Sequence, residues 1–335
     1  MEIKTIDNTL EVYTKRMVAL TPLFHGEIKP GRDREEKSNV SQFRRLPCIV
    51  KTPDGGFERV LVPCYSGNAV RGYGRRKLFH VMLEGLGLDG FEDFKKLFEG
   101  RVSAGSVNST ARDVWYFLKV GGLTDSGAKK KMIDEATYLD IKNSIPTLAL
   151  FGGVMNAQHF EGAVRVGFIY PLVRELAEMF APEKPALTLA DVKTAFVGYT
   201  RRSEDDSRKN EGLSSEKMIF GCEVLPAGTE LWHSMTLPNP SEGTEKAFKA
   251  LAYLLSDAVL GGHAARGCGV IRAEYVLRGK IWRSGKPEVL DGIAVTREAL
   301  DEFVEYVEKH RENILETIAS IPETLIKTEK AGESK

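Results

Sequence analysis

Residues 62–84 read VPCYSGNAVRGYGRRKLFHVMLE, and the fold turns on this stretch. It opens at the end of an apolar run and changes period near Ser66. Val70, Tyr73, Leu78, Val81 and Met82 then recur at mixed spacings of three, four and five, which predicts a helix over about 68–84. Ser66 or Asn68 can cap its start. Just upstream, 46–51 and 58–63 are strand-like runs joined by Pro53-Asp54-Gly55-Gly56, a hairpin composition. Residues 26–44 read as a long charged loop, and 12–22 as a first strand ending in Met17-Val18-Ala19-Leu20.

Downstream, 85–143 reads as a mostly helical insertion. Strand character resumes over 160–170, where Val164, Val166 and Phe168 alternate with Arg165 and Gly167. Residues 171–195 read as helix, interrupted at Pro182 and Pro185. The polar stretch 199–217 cannot pack a core and is expected to project as a loop or long hairpin. Residues 217–225 and 229–237 are strand-like around Pro226-Ala227-Gly228. A core helix is predicted over 245–260, with Phe248, Leu251, Ala252, Leu255 and Val259 on one face and Gly261-Gly262 as its stop. A strand at 270–277 follows, then an amphipathic helix at 296–318 with Thr296 as N-cap. With the insertions set aside, the order is strand, helix, strand, strand, helix, strand, an α+β chain of ferredoxin-like (RRM-type) arrangement.

Composition narrows the class. The chain has 335 residues, 42% apolar and 28% charged, which excludes a disordered, collagen-like or coiled-coil polypeptide. No apolar run approaches the roughly 18 residues of a membrane helix. The start, MEIKTIDNTLEVYTKR, lacks the basic-then-apolar pattern of a signal peptide, so a cytoplasmic protein with no membrane partner is expected. Cys48, Cys64, Cys222 and Cys268 are scattered without zinc spacing and read as four reduced thiols, with no metal and no cofactor expected.

Lys plus Arg equals Asp plus Glu at 47 each, but the charge is unevenly placed. Residues 15–80 hold fourteen basic and six acidic residues, while 297–335 hold six basic and ten acidic. A local positive field attracts a polyanion whatever the net charge. Arg71, Arg75 and Arg76 lie at a helix start that also offers backbone N–H groups, a suitable phosphate site. Arg71 and Arg75 share a face. The alternative is a surface helix with three arginines. No Walker loop or dinucleotide glycine pattern is present. In GGHAARGCG, 261–269, the glycines imply close backbone approach, with His263 and Arg266 inside the loop. It either lies along a phosphate backbone or is a tight helix-to-strand connection. Asp205-Asp206 belong to a charge-balanced stretch and read as solvated. His25, after the first strand, can act as a base near a ribose 2′-OH or hydrogen-bond the backbone or a phosphate.

Six segments, in order, carry a resemblance. They are LTPLFHGE at 20–27, Phe43-Arg44-Arg45, VPCYSGNAVRGYGRRK at 62–77, SIPTLALFGGV at 144–154, MIFGCEVLPAGTELWH at 218–233 and GGHAARGCGVI at 261–271. Together they resemble the RNA-binding backbone subunits of CRISPR effector complexes, the Cas-seven group of the repeat-associated (RAMP) superfamily, and most nearly the type IV subunits. The resemblance spans about residues 12–278. It implies a ferredoxin-like palm with a helical insertion and a projecting thumb-like β-hairpin. On that plan, 1–84 is the first part of the palm, 85–143 the insertion, and 144–198 the palm's continuation. Residues 199–217 are the thumb, 218–280 the second half of the palm, 281–322 a helical extension, and 323–335 a disordered tail.

The resemblance also implies a non-enzymatic role. The partners would be guide RNA, further copies of the chain in a head-to-tail filament, other effector subunits, and target nucleic acid through guide pairing. Arg71, Arg75 and Arg76 would hold guide phosphates, assisted by Ser66 and Asn68, with Arg44 and Arg45 extending the groove. Gly152, Gly153, Gly261 and Gly262 would admit the RNA backbone, and Arg201 and Arg202 would stand at the thumb base. Two alternatives remain. One is an endoribonuclease processing precursor RNA through His25 or His263. The other is a target-RNA-cleaving subunit using Asp33 or its neighbours Glu35 and Glu36. The setting GRDREEKS departs from the glycine-rich pattern of cleaving relatives, so no catalytic role is carried over.

Overall fold

The structure, a computed structural model, describes residues 8–26, 40–52, 54–123, 133–155, 158–180, 185–192, 195–200, 219–283 and 286–325. In chain order its longer elements are β1 (Thr9–Ala19), β2 (Arg45–Lys51), β3 (Phe57–Pro63), α1 (Gly67–Gly85), α2 (Gly90–Lys96), α3 (Val107–Val120), α4 (Glu135–Ser144) and α5 (Pro146–Phe151). They continue as β4 (Gly152–Met155), β5 (Gln158–Glu161), β6 (Arg165–Val166), β7 (Ala195–Thr200), β8 (Ile219–Val224), β9 (Ser234–Pro238) and α6 (Glu242–Leu254). The last are β10 (Ile271–Arg283), β11 (Lys286–Ala294), α7 (Glu298–Lys309) and α8 (Arg311–Leu325).

The central sheet has the order β11-β10-β1-β9-β6, and every pairing in it is antiparallel. With β11 set aside, the four strands run fourth, first, third, second in chain order. α1 joins the first to the second and α6 the third to the fourth, which is the ferredoxin-like connection. β1 lies at the centre because alternate residues, Leu10 and Val12, are buried on the helical side. Val12 stands opposite Met235 on one side and Leu277 on the other. α6 packs Phe248 and Leu251 into the same core and is started by a capping box between Ser241 and Thr244. The helical insertion joins this core rather than forming its own: Phe94, Phe98, Val114 and Phe117 are fully buried in it. A second, smaller core of Cys48, Val50, Val62, Val173, Leu176 and Val192 lies under the β2–β3 hairpin.

Several expectations are corrected. The described residues of 171–195 do not form the expected helix: among them only Ala177–Phe180 make an α-turn, behind a 3-10 turn at Arg174–Leu176, Tyr170–Pro171 are extended and β7 begins at Ala195. Val173, Leu176 and Val192 instead pack individually beneath the hairpin, and prolines deny the segment helix donors. The strands either side of Pro226-Ala227-Gly228 do not pair with each other. β8 pairs with β7, and β9 enters the central sheet beside β1. The run 160–170 is split into β5, β6 and Tyr170–Pro171. α6 ends at Leu254, short of Gly261-Gly262, and residues up to Val259 turn to bridge Val270.

The stretch 281–322 is not all helical, because β11 pairs along β10. The final amphipathic stripe breaks at His310 into α7 and α8, and α7 opens behind Arg297 without a side-chain cap, so Thr296 does not serve as one. Residues 323–325 continue α8; the remainder of the expected tail lies outside the described residues. So do Asp33, Glu35, Glu36, Asp205 and residues 201–217 of the expected thumb; β7 and β8, which flank that stretch in sequence, pair antiparallel.

Candidate nucleic-acid interface

α1 begins where the chain leaves β3. Ser66 is extended at the cap position and its hydroxyl accepts from the Ala69 N–H at 3.2 Å. Ser66 is thus buried and occupied as a cap rather than turned to a ligand. Asn68 in the first turn is exposed. Beyond it the three arginines part company. Arg71 and Arg75, one turn apart, both reach the C-terminal end of α5: Arg71 donates to the Phe151 carbonyl. Arg75 donates to the Phe151 carbonyl at 2.8 Å and the Gly152 carbonyl at 2.6 Å. These are orphan acceptors of a helix end, which cations satisfy. Arg75 also lies 5.3 Å from the centroid of the Phe151 ring and is only 7% exposed. Burial, and then the Arg71 charge, pushes its pKa down to about 10, so it remains a cation at neutral pH. Arg76, about 100° further round the helix, is exposed.

These residues converge on one groove of about 720 Å³. Its floor is α1, with Asn68, Arg71, Tyr73, Arg75 and Arg76; one wall is Gly121, Phe151, Gly153 and His159; the other is His25, Tyr65, Gly261 and Gly262. No aspartate or glutamate is among the described lining residues. His25 packs against Tyr65 with ring centroids 4.3 Å apart and the rings tilted by 38°. Burial first, and the nearby Arg44 charge second, lower the pKa of His25 and favour its neutral form. Arg44 is tied to this wall by its N–H, which donates to the His25 carbonyl at 2.8 Å.

The glycines expected to admit a ligand first admit the protein's own chain. Gly152 has φ of 64°, and a Cβ there would sit 2.2 Å from the Phe160 carbonyl oxygen. Gly261 has φ of 87°, with a Cβ position 2.0 Å from the Phe24 carbonyl oxygen, and its N–H donates to the Tyr65 hydroxyl at 2.9 Å. Each of the two walls is thus held together by close backbone contact.

Other expected residues fall elsewhere. Arg45 pairs with Glu223, whose carboxylate also accepts from the Phe43 N–H at 2.8 Å, so Arg45 fastens the hairpin to β8 and does not line the groove. His263, at φ of 62°, stacks on Phe24 with centroids 4.6 Å apart and meets Arg266 at 3.3 Å; neither lines the groove. Arg201 and Arg202 lie outside the described residues. Tyr65, Tyr73 and His159 line the groove without having been expected there. The two tyrosines stand inside the arginine motif itself, whereas nothing local in the sequence marks His159. The four cysteines are buried free thiols, and burial pushes Cys64 up to about 12. No cluster able to hold a metal ion and no helix long and apolar enough to cross a membrane occurs among the described residues.

Fold and groove together define a ferredoxin-like palm carrying a cleft whose described lining is cationic. No family pattern matches the sequence, and no curated protein is similar to it. Among solved structures, a chain of a Type IV-B CRISPR complex is similar at 19% identity and a TM-score of 0.44, covering 80% of this chain and 90% of that one. Csc2 of Thermofilum pendens is similar at 14% identity and a TM-score of 0.43, covering 99% of this chain and 93% of that one.

Proposed function

We propose that this protein binds guide RNA, without regard to sequence and without cutting it, as a repeating backbone subunit of a CRISPR effector complex. The observation that carries this is the groove, where Arg71, Arg75 and Arg76 stand together with no carboxylate among the described lining residues. Cations positioned on rigid elements neutralise phosphates, and phosphate contacts carry no sequence information. Asn68, exposed in the first turn of α1, and Arg76, exposed midway along it, are placed to meet phosphates directly, while Arg71 and Arg75 keep the local potential positive. The order of motifs in the sequence agrees with this function. Recognition of target nucleic acid is then left to base pairing by the guide.

Assembly with further copies is supported by one surface. Ile49, Phe57 and Leu61 are 62%, 75% and 61% exposed on the outer face of the β2–β3 hairpin. Arg59 lies opposite Ile49 and Lys51 opposite Phe57, so the face mixes apolar and basic groups, a composition suited to contact with another protein. In the proposed complex it meets a neighbouring copy or another effector subunit.

Fluorescence anisotropy with three unrelated RNAs of repeat–spacer length, titrated across a salt series, tests the binding. Affinities within roughly threefold of one another, a steep salt slope and RNA recovered intact are expected. Absence of binding at low salt overturns the proposal. Strong dependence on sequence, or cleavage of the RNA, overturns its non-enzymatic form.

A further inference from the structure

The exposed hairpin has a counterpart on the same chain. In the β2–β3 register Pro47 stands opposite Leu61, Ile49 opposite Arg59 and Lys51 opposite Phe57. Directly opposed residues share a face, so these six form one surface, and all of them are exposed. Pro47, Ile49, Phe57 and Leu61 are apolar, Lys51 and Arg59 are basic, and none is acidic. The intervening Cys48, Val50 and Val62 already fill the second core, and the outer side of such a ribbon is ordinarily polar. An outer face of this composition fits a partner that offers apolar area among carboxylates.

That area lies over the main core, at the start of α6. A cleft of about 590 Å³ is formed there by Pro240, by Glu242 and Glu245 of α6, by Glu302 of α7, and by Ile281 and Trp282 at the end of β10. Two lysines also line it, and each is matched by a carboxylate of the cleft: Lys246 by Glu302 at 3.4 Å and Lys249 by Glu245 at 2.7 Å. Glu242, exposed in the first turn of α6, leaves the described lining net negative. Glu298 and Glu305, one turn to either side of Glu302 on α7, are exposed and extend the negative field. Trp282 is half-exposed, and a tryptophan bordering a cleft is a typical anchor of a protein contact. Resting on the assembly of copies described above, we propose that the outer face of the β2–β3 hairpin of one copy docks in this cleft of the next, with Phe57 and Leu61 against Trp282 and Arg59 toward Glu242 and Glu302. The two surfaces are different parts of one chain, so the contact is heterologous and each copy holds a neighbour on either side.

The test uses the full-length protein, in sedimentation without RNA and on an RNA of repeat–spacer length. Phe57→Ser with Leu61→Ser removes the apolar centre of the hairpin, and Trp282→Ala removes that of the cleft. Each variant alone should stay monomeric where the wild type associates. Mixed, each supplies the half that the other lacks, so pairs should form and nothing longer. A charge exchange gives a second reading: Arg59→Glu should weaken association about tenfold, and Glu242→Arg in the same chain should restore part of it. A mixture that forms no pairs, association that survives Trp282→Ala, or a charge exchange without rescue would overturn the inference. A wild type that is monomeric without RNA and binds RNA without cooperativity would overturn it too, while leaving the RNA-binding function intact. Pairing of the mixed variants by a protein that ignores RNA would support this contact and overturn that function instead.

Discussion

Arg75 and Arg76 are neighbours in sequence with different work to do. Arg75 is buried on two carbonyls and Arg76 is exposed in the groove. Arg75→Ala removes the donor to the Gly152 carbonyl, leaves the Phe151 carbonyl to Arg71 and opens a void, so it should lower unfolding free energy by about 2–4 kcal/mol in urea titrations. Arg76→Ala should leave stability within about 0.5 kcal/mol and weaken RNA binding, with the salt slope falling by about 0.7 for each phosphate that is no longer neutralised. The sequence made the arginine cluster legible, but not this division. Two residues four apart share a helix face, yet only tertiary packing says that this face meets the end of α5.

His233 gives a second test at this scale. It is fully buried, its Nδ1 lies 2.7 Å from the Tyr275 hydroxyl, and burial lowers its pKa to about 4. The unfolded chain therefore binds a proton that the folded chain refuses between about pH 6.5 and 4, and stability falls as pH falls through that window. At pH 5 the loss is about 2 kcal/mol. His233→Phe should narrow the stability difference between pH 7.5 and pH 5 by that amount, whatever its own effect at pH 7.5. An unchanged difference would show that His233 titrates normally in the folded state.

At the scale of elements, the groove depends on how tightly each of its two walls is packed. Gly152→Ala would place a methyl group against the Phe160 carbonyl at a positive φ, so a destabilisation of more than about 2 kcal/mol in thermal or chemical unfolding is expected. The helices α1 and α6 and the strands β1 and β10 were legible because each has a clear buried face. Three features were not. β11 carries Pro287, Asp291 and Gly292, and as an edge strand it is mostly exposed, so no alternation marks it. The segment 171–195 is apolar enough for a helix but is arranged around a small second core that only the folded hairpin creates. β6 is two residues long, below any periodic signal, although it completes the palm. At the groove, His25 and the arginine motif were legible, while the place of Arg45 was not, because its partner, Glu223, lies 178 residues away.

For the whole molecule, the neutral total hides a basic first quarter and an acidic end, and the exposed apolar hairpin belongs to the basic part. Phe57→Ser with Leu61→Ser should change stability by no more than about 0.5 kcal/mol per site, since both side chains are exposed. In the presence of RNA the same pair should shorten the assemblies seen by light scattering and electron microscopy; assemblies of unchanged length would place the contact between copies elsewhere. The most direct test of the central claim is to purify the protein with nuclease excluded, extract whatever nucleic acid accompanies it, then size and sequence that material and image the particles. Short RNA of repeat–spacer character, within particles holding several copies of the chain, is the predicted result. A monomer free of nucleic acid that also ignores added guide RNA at low salt would contradict it.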